Sequence, residues 1–141
     1  MYIRAELLRF NSAAAAAKPF SQELDPSAAG MSLAKQYYGL LSAKSPELMK
    51  MYRESSSVCM EKSVATGLAG VQALLGRMVT GTVTPVTVDS AQVGATIIVL
   101  VSGTVLAEGQ TNPLAFTQAF CIAADAAGPF IANELFQLNY G

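Results

Sequence analysis

Few side chains in this sequence have the chemistry that acid–base catalysis or metal binding requires. The chain has no histidine, and its two cysteines, Cys59 and Cys121, do not form a CxxC pair, so neither a metal site nor a disulfide is expected. Each cysteine lies in an apolar, strand-like run, which is typical of a reduced core thiol in a cytosolic or nuclear protein. The sequence also contains no phosphate-binding loop and no Ser-His-Asp set. We therefore expect a protein that works without a metal ion or a cofactor.

Carboxylates and phenols are the remaining candidates for proton transfer. Without histidine the general base would have to be a buried carboxylate, and no pair of Asp or Glu side chains lies in one predicted strand at a suitable spacing. Tyr37, Tyr38 and Tyr52 could donate hydrogen bonds, but tyrosines on a helix face are more often core residues. The sequence therefore predicts a binding protein, and an isomerase or dehydratase is the less favoured alternative.

Glu61 is the acid that lies inside a short strand-like run, Val58 to Val64, directly after Met60. A carboxylate that is partly withdrawn from water contributes more to binding a partner's Lys or Arg than an exposed one does. Methionine is also a flexible lining for an apolar pocket. Two interpretations stay open at this point: Glu61 belongs to a partner-binding rim, or it is a solvated acid at the end of a strand.

The charge is divided unevenly along the chain. All nine basic residues lie at or before Arg77, together with six acids, whereas residues 78–141 contain four acids and no base. Because phosphate binding needs Lys and Arg, a nucleic-acid surface on the second half is excluded. The second half is better matched to a basic partner.

The composition predicts one domain that associates with other chains. At 141 residues, with 52% hydrophobic and 13% charged residues, the chain has too little polar surface to cover a monomer without large apolar patches. The longest apolar run, Ala95 to Leu106, is interrupted by Ser102 and Gly103, and it is too short to span a membrane. We expect a homo- or hetero-oligomer with no membrane span.

Helical patterns occupy the first half of the chain and strand patterns the second. Leu33, Tyr37 and Leu40 share one helix face, and Ser45-Pro46 has the N-cap and N1 residues of a second helix. The predicted order is an N-terminal arm (1–30), helices from Ser32, from Pro46 and after Gly67, a short strand near 57–64, and four antiparallel strands near Val86–Val88, Ala95–Leu106, Phe116–Ile122 and Phe130–Leu138. In this prediction Ala95–Leu106 is a central strand that is covered on both faces. The arm resembles a mitochondrial presequence only weakly, because it contains acids. This order predicts an α+β domain.

With this order of elements, residues from about Ser32 to Gly141 resemble nuclear transport factor 2 and its relatives. The resemblance is carried by Tyr37-Tyr38, Tyr52, Ser56, Glu61, Gly67, Asp89, Gly103, Asn112-Pro113, Phe116-x-Gln118-x-Phe120 and Asn133-Glu134-Leu135-Phe136. It implies a cone-shaped, strongly bent antiparallel sheet packed on three helices, also known as a cystatin-like fold. The implied domain is 31–141, preceded by the arm 1–30.

The resemblance implies a transport function in the cytoplasm, the nucleus and the nuclear pore. Members of the family carry the GDP-bound form of the GTPase Ran and contact phenylalanine-glycine repeats of pore proteins. Transferred residue by residue, the cavity rim falls on Met60, Glu61 and Glu108, with Leu106 and Phe136 beside it. Met60 replaces a family aromatic residue, and Gly109-Gln110 replaces loop acids, so a weaker acidic rim is expected.

The family also implies a homodimer joined through the face of the sheet. The stripe Phe116, Phe120 and Ile122 is the first candidate for that face, and the opposite side of the same strand is the second. Two other classes stay open: a peptide-binding domain of a stress-granule scaffold, and the heterodimerising small subunit of an mRNA export receptor. The chain ends soon after its last predicted strand, which makes a scaffold less expected, and the export subunit would be recognised by heterodimerisation.

Overall fold

The computed structural model describes residues 25–78 and 81–139, so most of the predicted arm lies outside the described residues. In chain order the elements are α1 (Pro26–Ser42), a 3-10 helix (Pro46–Met51), β1 (Ser57–Met60), β2 (Ser63–Thr66), α2 (Leu68–Met78), β3 (Gly81–Val93), β4 (Thr96–Ala107), β5 (Leu114–Asp125) and β6 (Gly128–Asn139). The helices pack on one side of the sheet, which confirms the α+β class.

The six strands form one sheet in the order β2-β1-β6-β5-β4-β3. Strands β3 to β6 form an antiparallel meander, as predicted, and β1 pairs with β2 in the same antiparallel manner. However, β1 runs parallel to β6. The sheet is therefore mixed rather than wholly antiparallel, because the chain enters β1 from the helical layer and not through a hairpin.

The first helix begins earlier than the sequence pattern predicts. It starts at Pro26 rather than Ser32, with Asp25 as the N-cap whose carboxylate accepts a hydrogen bond from the Ala28 amide at 2.7 Å. Asp-Pro has the composition of a helix breaker, but the same two residues fit the N-cap and N1 positions. The second predicted helix is a 3-10 helix, and Ser45 caps it as expected.

The segment predicted as one strand near 57–64 is a hairpin of two short strands. Its turn residues, Glu61 and Lys62, have φ angles of 50° and 74°. Positive values at both central positions are those of a type I′ turn, which normally selects Asn or Gly. Because neither residue is a usual turn former, the hairpin could not be predicted from the residue types.

The sheet bends where its strands approach each other closely. The β3–β4 register shifts between Pro85 and Thr87, and such irregularities increase the local twist of a strand. Beside this shift, a Cβ on Gly103 would lie 2.1 Å from the Thr84 carbonyl oxygen and 2.9 Å from the Phe116 ring. Only glycine fits at this point of the bend.

The inner face of the sheet covers α1 and forms the core. Phe116 and Phe120 are fully buried and Ile122 is 7% exposed, and the Phe120 ring lies 4.9 Å from that of Tyr37. Their assignment to the dimer face is therefore wrong, since side chains enclosed by their own helix cannot contact a second chain. The prediction that β4 is covered on both faces is also wrong within this chain, because Ile98 and Leu100 are exposed.

Candidate functional site

Met60 and Phe136 meet at one end of the sheet. They are register partners in the parallel β1–β6 pair, and the Phe136 ring stacks on that of Phe116 at 5.4 Å. Met60 is only 2% exposed, so it lies beneath the predicted rim rather than on it. Its burial follows from the alternation of β1, which turns Val58 and Met60 towards the core.

Glu61 lies directly beyond this pair, in the β1–β2 turn. Its backbone amide donates to the Phe136 carbonyl at 3.1 Å, and its carboxylate accepts a hydrogen bond from the Leu138 amide. The side chain is half-buried. The turn therefore presents a carboxylate of fixed position at the end of β6, next to apolar residues.

Glu108 and Leu106 lie at the far end of β4, which β5 and β6 separate from β1. Both residues are exposed. Glu108 borders a cavity of about 430 Å³ whose other walls come from the helical layer, including Lys44, Leu48 and Leu75. The loop after β4 reaches the same end of the sheet as Glu61, because β5 begins opposite the end of β6. The structure thus joins Met60, Glu61 and Phe136 directly and leaves Leu106 and Glu108 beside a separate cavity.

A polar cluster in the core centres on the carboxyl of Glu134, which is 4% exposed. Tyr37 donates to it at 2.7 Å, Gln118 donates at 2.6 Å, and Tyr52 donates to its other oxygen. Tyr38 in turn donates to the Gln118 side-chain oxygen at 2.6 Å. All four donors are neutral, so the cluster satisfies a buried acid without a cation.

Burial dominates the titration of this cluster. It raises the pKa of the Glu134 carboxyl above its ordinary value, while the hydrogen bonds from Tyr52, Tyr37 and Gln118 oppose the shift. Burial also raises the pKa of Tyr37 and of Tyr52 well above the ordinary phenol value, and the Glu134 charge raises both further. The phenols therefore remain protonated hydrogen-bond donors at neutral pH.

Sequence analysis missed the roles of Glu134 and Gln118, although a signal for Gln118 was present. Gln118 alternates with Phe116 and Phe120 along β5, so it shares their inward face and needs a buried partner. The tyrosine core assignment for Tyr37, Tyr38 and Tyr52 agrees with the structure, since all three are buried. The local residue pattern does not reveal that Glu134 is the hydrogen-bond partner of Tyr37, because the two residues are 97 positions apart in the sequence.

The outer face of the sheet carries a continuous row of small and apolar side chains. Strand pairing places Leu100, Ala119, Leu135, Cys59 and Val64 side by side across β4, β5, β6, β1 and β2. Leu100 is 47%, Leu135 50% and Val64 68% exposed. Five strands at about 4.8 Å spacing make this row roughly 20 Å long. The outward face of β5 is thus the second candidate stripe of the sequence analysis, which includes Ala119 and Cys121.

No described helix is long and apolar enough to cross a membrane. In the same part of the chain, no group of three or more His, Cys, Asp or Glu side chains is placed to hold a metal ion.

Comparisons with known proteins agree with this architecture. A family model described as the nuclear transport factor 2 domain matches residues 29–138. Nuclear transport factor 2 of Emericella nidulans is 30% identical over 109 residues, which cover 74% of this chain and 87% of that protein.

Solved structures give the same result. Nuclear transport factor 2 from Cryptosporidium parvum superposes with a TM-score of 0.70 at 25% identity, covering 78% of this chain and 91% of that one. A Nostoc punctiforme protein of unknown function with a cystatin-like fold has a TM-score of 0.67 at 9% identity, covering 79% of this chain and 89% of that one. The second likeness concerns the fold alone.

Proposed function

The chain belongs to the nuclear transport factor 2 family, and we propose that it carries the GDP-bound form of Ran between cytoplasm and nucleus. In this proposal it works as a homodimer and contacts phenylalanine-glycine repeats of nuclear pore proteins on the way. Support comes from relatives that are themselves named nuclear transport factors and that match most of the chain. The proposed site is the end of the sheet formed by Met60, Glu61 and Phe136.

The observation that carries the proposal is the position of Glu61. Its side chain is half-buried beside the aromatic and apolar end of β6. An ion pair between this carboxylate and a Lys or Arg of a partner would stabilise the complex more than an ion pair with a fully solvated acid. Its φ of 50° is unusual for a glutamate, and such a conformation costs about 1–2 kcal/mol. A glutamate at a position whose backbone conformation favours glycine or asparagine supports a role for its side chain.

The arrangement of Glu134 favours binding over catalysis. Both of its oxygens already accept hydrogen bonds from side chains of the protein, and 4% of it is exposed. A general base needs to reach the proton that it abstracts. We therefore propose that the cluster stabilises the core and that the protein is not an enzyme.

The test is the affinity of purified chains for Ran loaded with GDP, measured by calorimetry beside Ran loaded with GTP. Glu61→Lys is expected to weaken binding of the GDP form tens- to thousands-fold, since truncating one partner of a desolvated pair already costs about 2–5 kcal/mol. Glu61→Gln removes the charge but keeps an oxygen for the Leu138 amide, so it separates charge from turn stability and should give an intermediate loss. Glu108→Lys should cost less than Glu61→Lys.

The matched control is Glu47→Lys, which reverses an exposed acid on the 3-10 helix that pairs with Lys50. It should bind Ran like the parent, and circular dichroism should show that all four variants are folded. If Glu61→Lys binds GDP-bound Ran as tightly as the parent, the proposed rim is wrong. The peptide-binding and export-subunit functions would then move ahead.

A further inference from the structure

A second cavity, of about 480 Å³, lies between α1, the 3-10 helix and the ends of β4, β5 and β6. The apolar side chains in its walls include Leu33, Met51, Ile97, Ile122 and Ile131. Its mouth is lined by four exposed polar residues, Ser32, Gln36, Glu47 and Lys50. The cavity is many times the ~30 Å³ that one water molecule occupies in the liquid. Apolar walls with a few polar groups, at this size, are typical of a site for a small organic molecule.

One wall of this cavity is fixed by contacts outside it. The Phe130 ring lines the cavity, and the Arg53 guanidinium lies 4.8 Å from the centroid of that ring. Arg53 is anchored in turn, because it donates to the Asp125 carboxylate at 2.8 Å and to the Lys50 carbonyl at 3.2 Å. A wall that is held in this way keeps its shape without an occupant, so the cavity is preformed.

The charges at the mouth of the cavity cancel. Lys50 Nζ lies 2.7 Å from Glu47 Oε1, and the other two polar residues of the mouth, Ser32 and Gln36, are neutral. An anionic or a cationic head group would therefore meet both signs of charge and gain no net attraction at the mouth. The electrostatics of the cavity match a neutral ligand.

Next to the Ile97 wall lies a buried polar side chain whose hydrogen bonds are incomplete. Gln92 of β3 is the register partner of Ile97, so the two side chains lie side by side on the inner face of the sheet. Gln92 is 9% exposed, and its Nε2 donates to the Gly94 carbonyl at 2.9 Å. Within the described part of the chain, its Oε1 is buried and accepts no hydrogen bond. Buried acceptors normally have a donor, and a ligand that fills the neighbouring cavity can supply one.

We propose that this cavity binds a neutral amphipathic molecule of the aliphatic alcohol class, whose hydroxyl donates to Gln92 Oε1 while its alkyl part packs on the apolar walls. An ionised carboxylate has no hydrogen to donate, and an ammonium group would bring an unpaired charge between apolar walls. A hydroxyl is both neutral and a donor. The cavity shares no lining residue with the site of Met60, Glu61 and Phe136, so the proposal goes beyond Ran binding and does not depend on it.

Two isomeric probes, octanol and heptyl methyl ether, test the proposal on the unmodified full chain. They have the same number of atoms, but only the alcohol has a hydrogen to donate. Calorimetry should show one octanol bound per chain, about three- to tenfold more tightly than the ether, as one neutral hydrogen bond predicts. Equal affinities would mean that the ligand does not donate to Gln92, for instance because a water molecule does. That result, or no binding of octanol, would overturn the proposal.

Three variants, each checked for folding by circular dichroism, locate the bound alcohol. Gln92→Leu should lower the affinity for octanol to that for the ether and leave the affinity for the ether unchanged. Gln36→Leu is the matched control, since it makes the same substitution at the mouth and should keep the preference for octanol. A preference lost in Gln36→Leu and kept in Gln92→Leu would place the hydroxyl at the mouth and contradict the proposal. Leu33→Trp, which fills the cavity from α1, should abolish binding of both probes, and unchanged binding would place them elsewhere.

Discussion

The Glu134 cluster shows that the burial of a side chain can be predicted from its neighbours in sequence, whereas its hydrogen-bond partner cannot. Alternation along β5 is enough to place Gln118 inside the domain, and the tyrosines of α1 were expected in the core. The contact that joins them is a long-range one, in which Glu134 of β6 accepts from Tyr37 and from Tyr52 across 97 and 82 residues. Local pattern assigns a face to each side chain, but the partner of a buried polar group depends on tertiary packing.

The raised pKa of Glu134 makes stability depend on pH in a predictable direction. The folded protein keeps this proton where the unfolded chain has lost it, so this contribution is fully present below the ordinary pKa of 4.5. It is lost as pH rises through the folded-state pKa. Glu134→Gln cannot titrate at this position, so the wild-type free energy of unfolding minus that of the variant should fall as pH rises from about 4.5. Urea unfolding at a series of pH values measures this, and a difference that is constant with pH would contradict the raised pKa.

At the scale of elements, types were predictable and boundaries were not. The position of α2 after Gly67 and the three meander hairpins follow from periodicity and turn residues. The hairpin at Glu61-Lys62 has no Asn or Gly, and the start of α1 lies at an Asp-Pro pair that also fits a breaker. In both places the tertiary structure selects a local conformation that the residues permit but do not favour.

Because Asp25 caps α1, the role of the N-terminal arm is tested by deleting residues 1–24 rather than the predicted arm 1–30. We propose that residues 1–24 are dispensable for the dimer and for Ran binding, since the Glu61 site and the outer row are formed by residues that follow Asp25 in the chain. Removing residues 1–30 also deletes the N-cap, Pro26 and Gly30, where α1 packs so closely on Ser90 that a Cβ would lie 1.8 Å from the Ser90 hydroxyl. The longer deletion should therefore lower the free energy of unfolding by about 1–2 kcal/mol more than the shorter one, from the cap alone. Equal stability of the two truncated chains in urea would show that the cap contributes nothing.

For the whole molecule, the two faces of the sheet have different roles: the inner face forms the core and the outer face is available to a partner. The inner face is covered by α1. The low content of charged residues therefore leaves apolar surface on the outer face, where a second chain could cover it. There the row of Leu100, Ala119, Leu135, Cys59 and Val64 is not covered by a described helix, since Leu100, Leu135 and Val64 are all exposed. Of the four acids in the second half, Glu134 is buried and Asp125 pairs with Arg53. The excess negative charge of that half is therefore much smaller at the surface than the sequence implies, which weakens the expectation of a basic partner for it.

We expect the outer row to join two copies of the chain about a twofold axis, because a symmetric dimer needs one self-complementary patch. Leu135 lies in the middle of the row, where a lysine would be buried without a partner. Leu135→Lys should therefore weaken the dimer about 30-fold or more, which corresponds to the roughly 2 kcal/mol of an interface hot spot. Val93→Lys is the matched control, since Val93 is 57% exposed at the end of β3 and lies outside the row. Sedimentation equilibrium at micromolar concentration should give twice the 14.7 kDa chain mass for the parent and the control, and a value close to one chain for Leu135→Lys. A parent that sediments as a single chain would show that the outer face is reserved for a different partner.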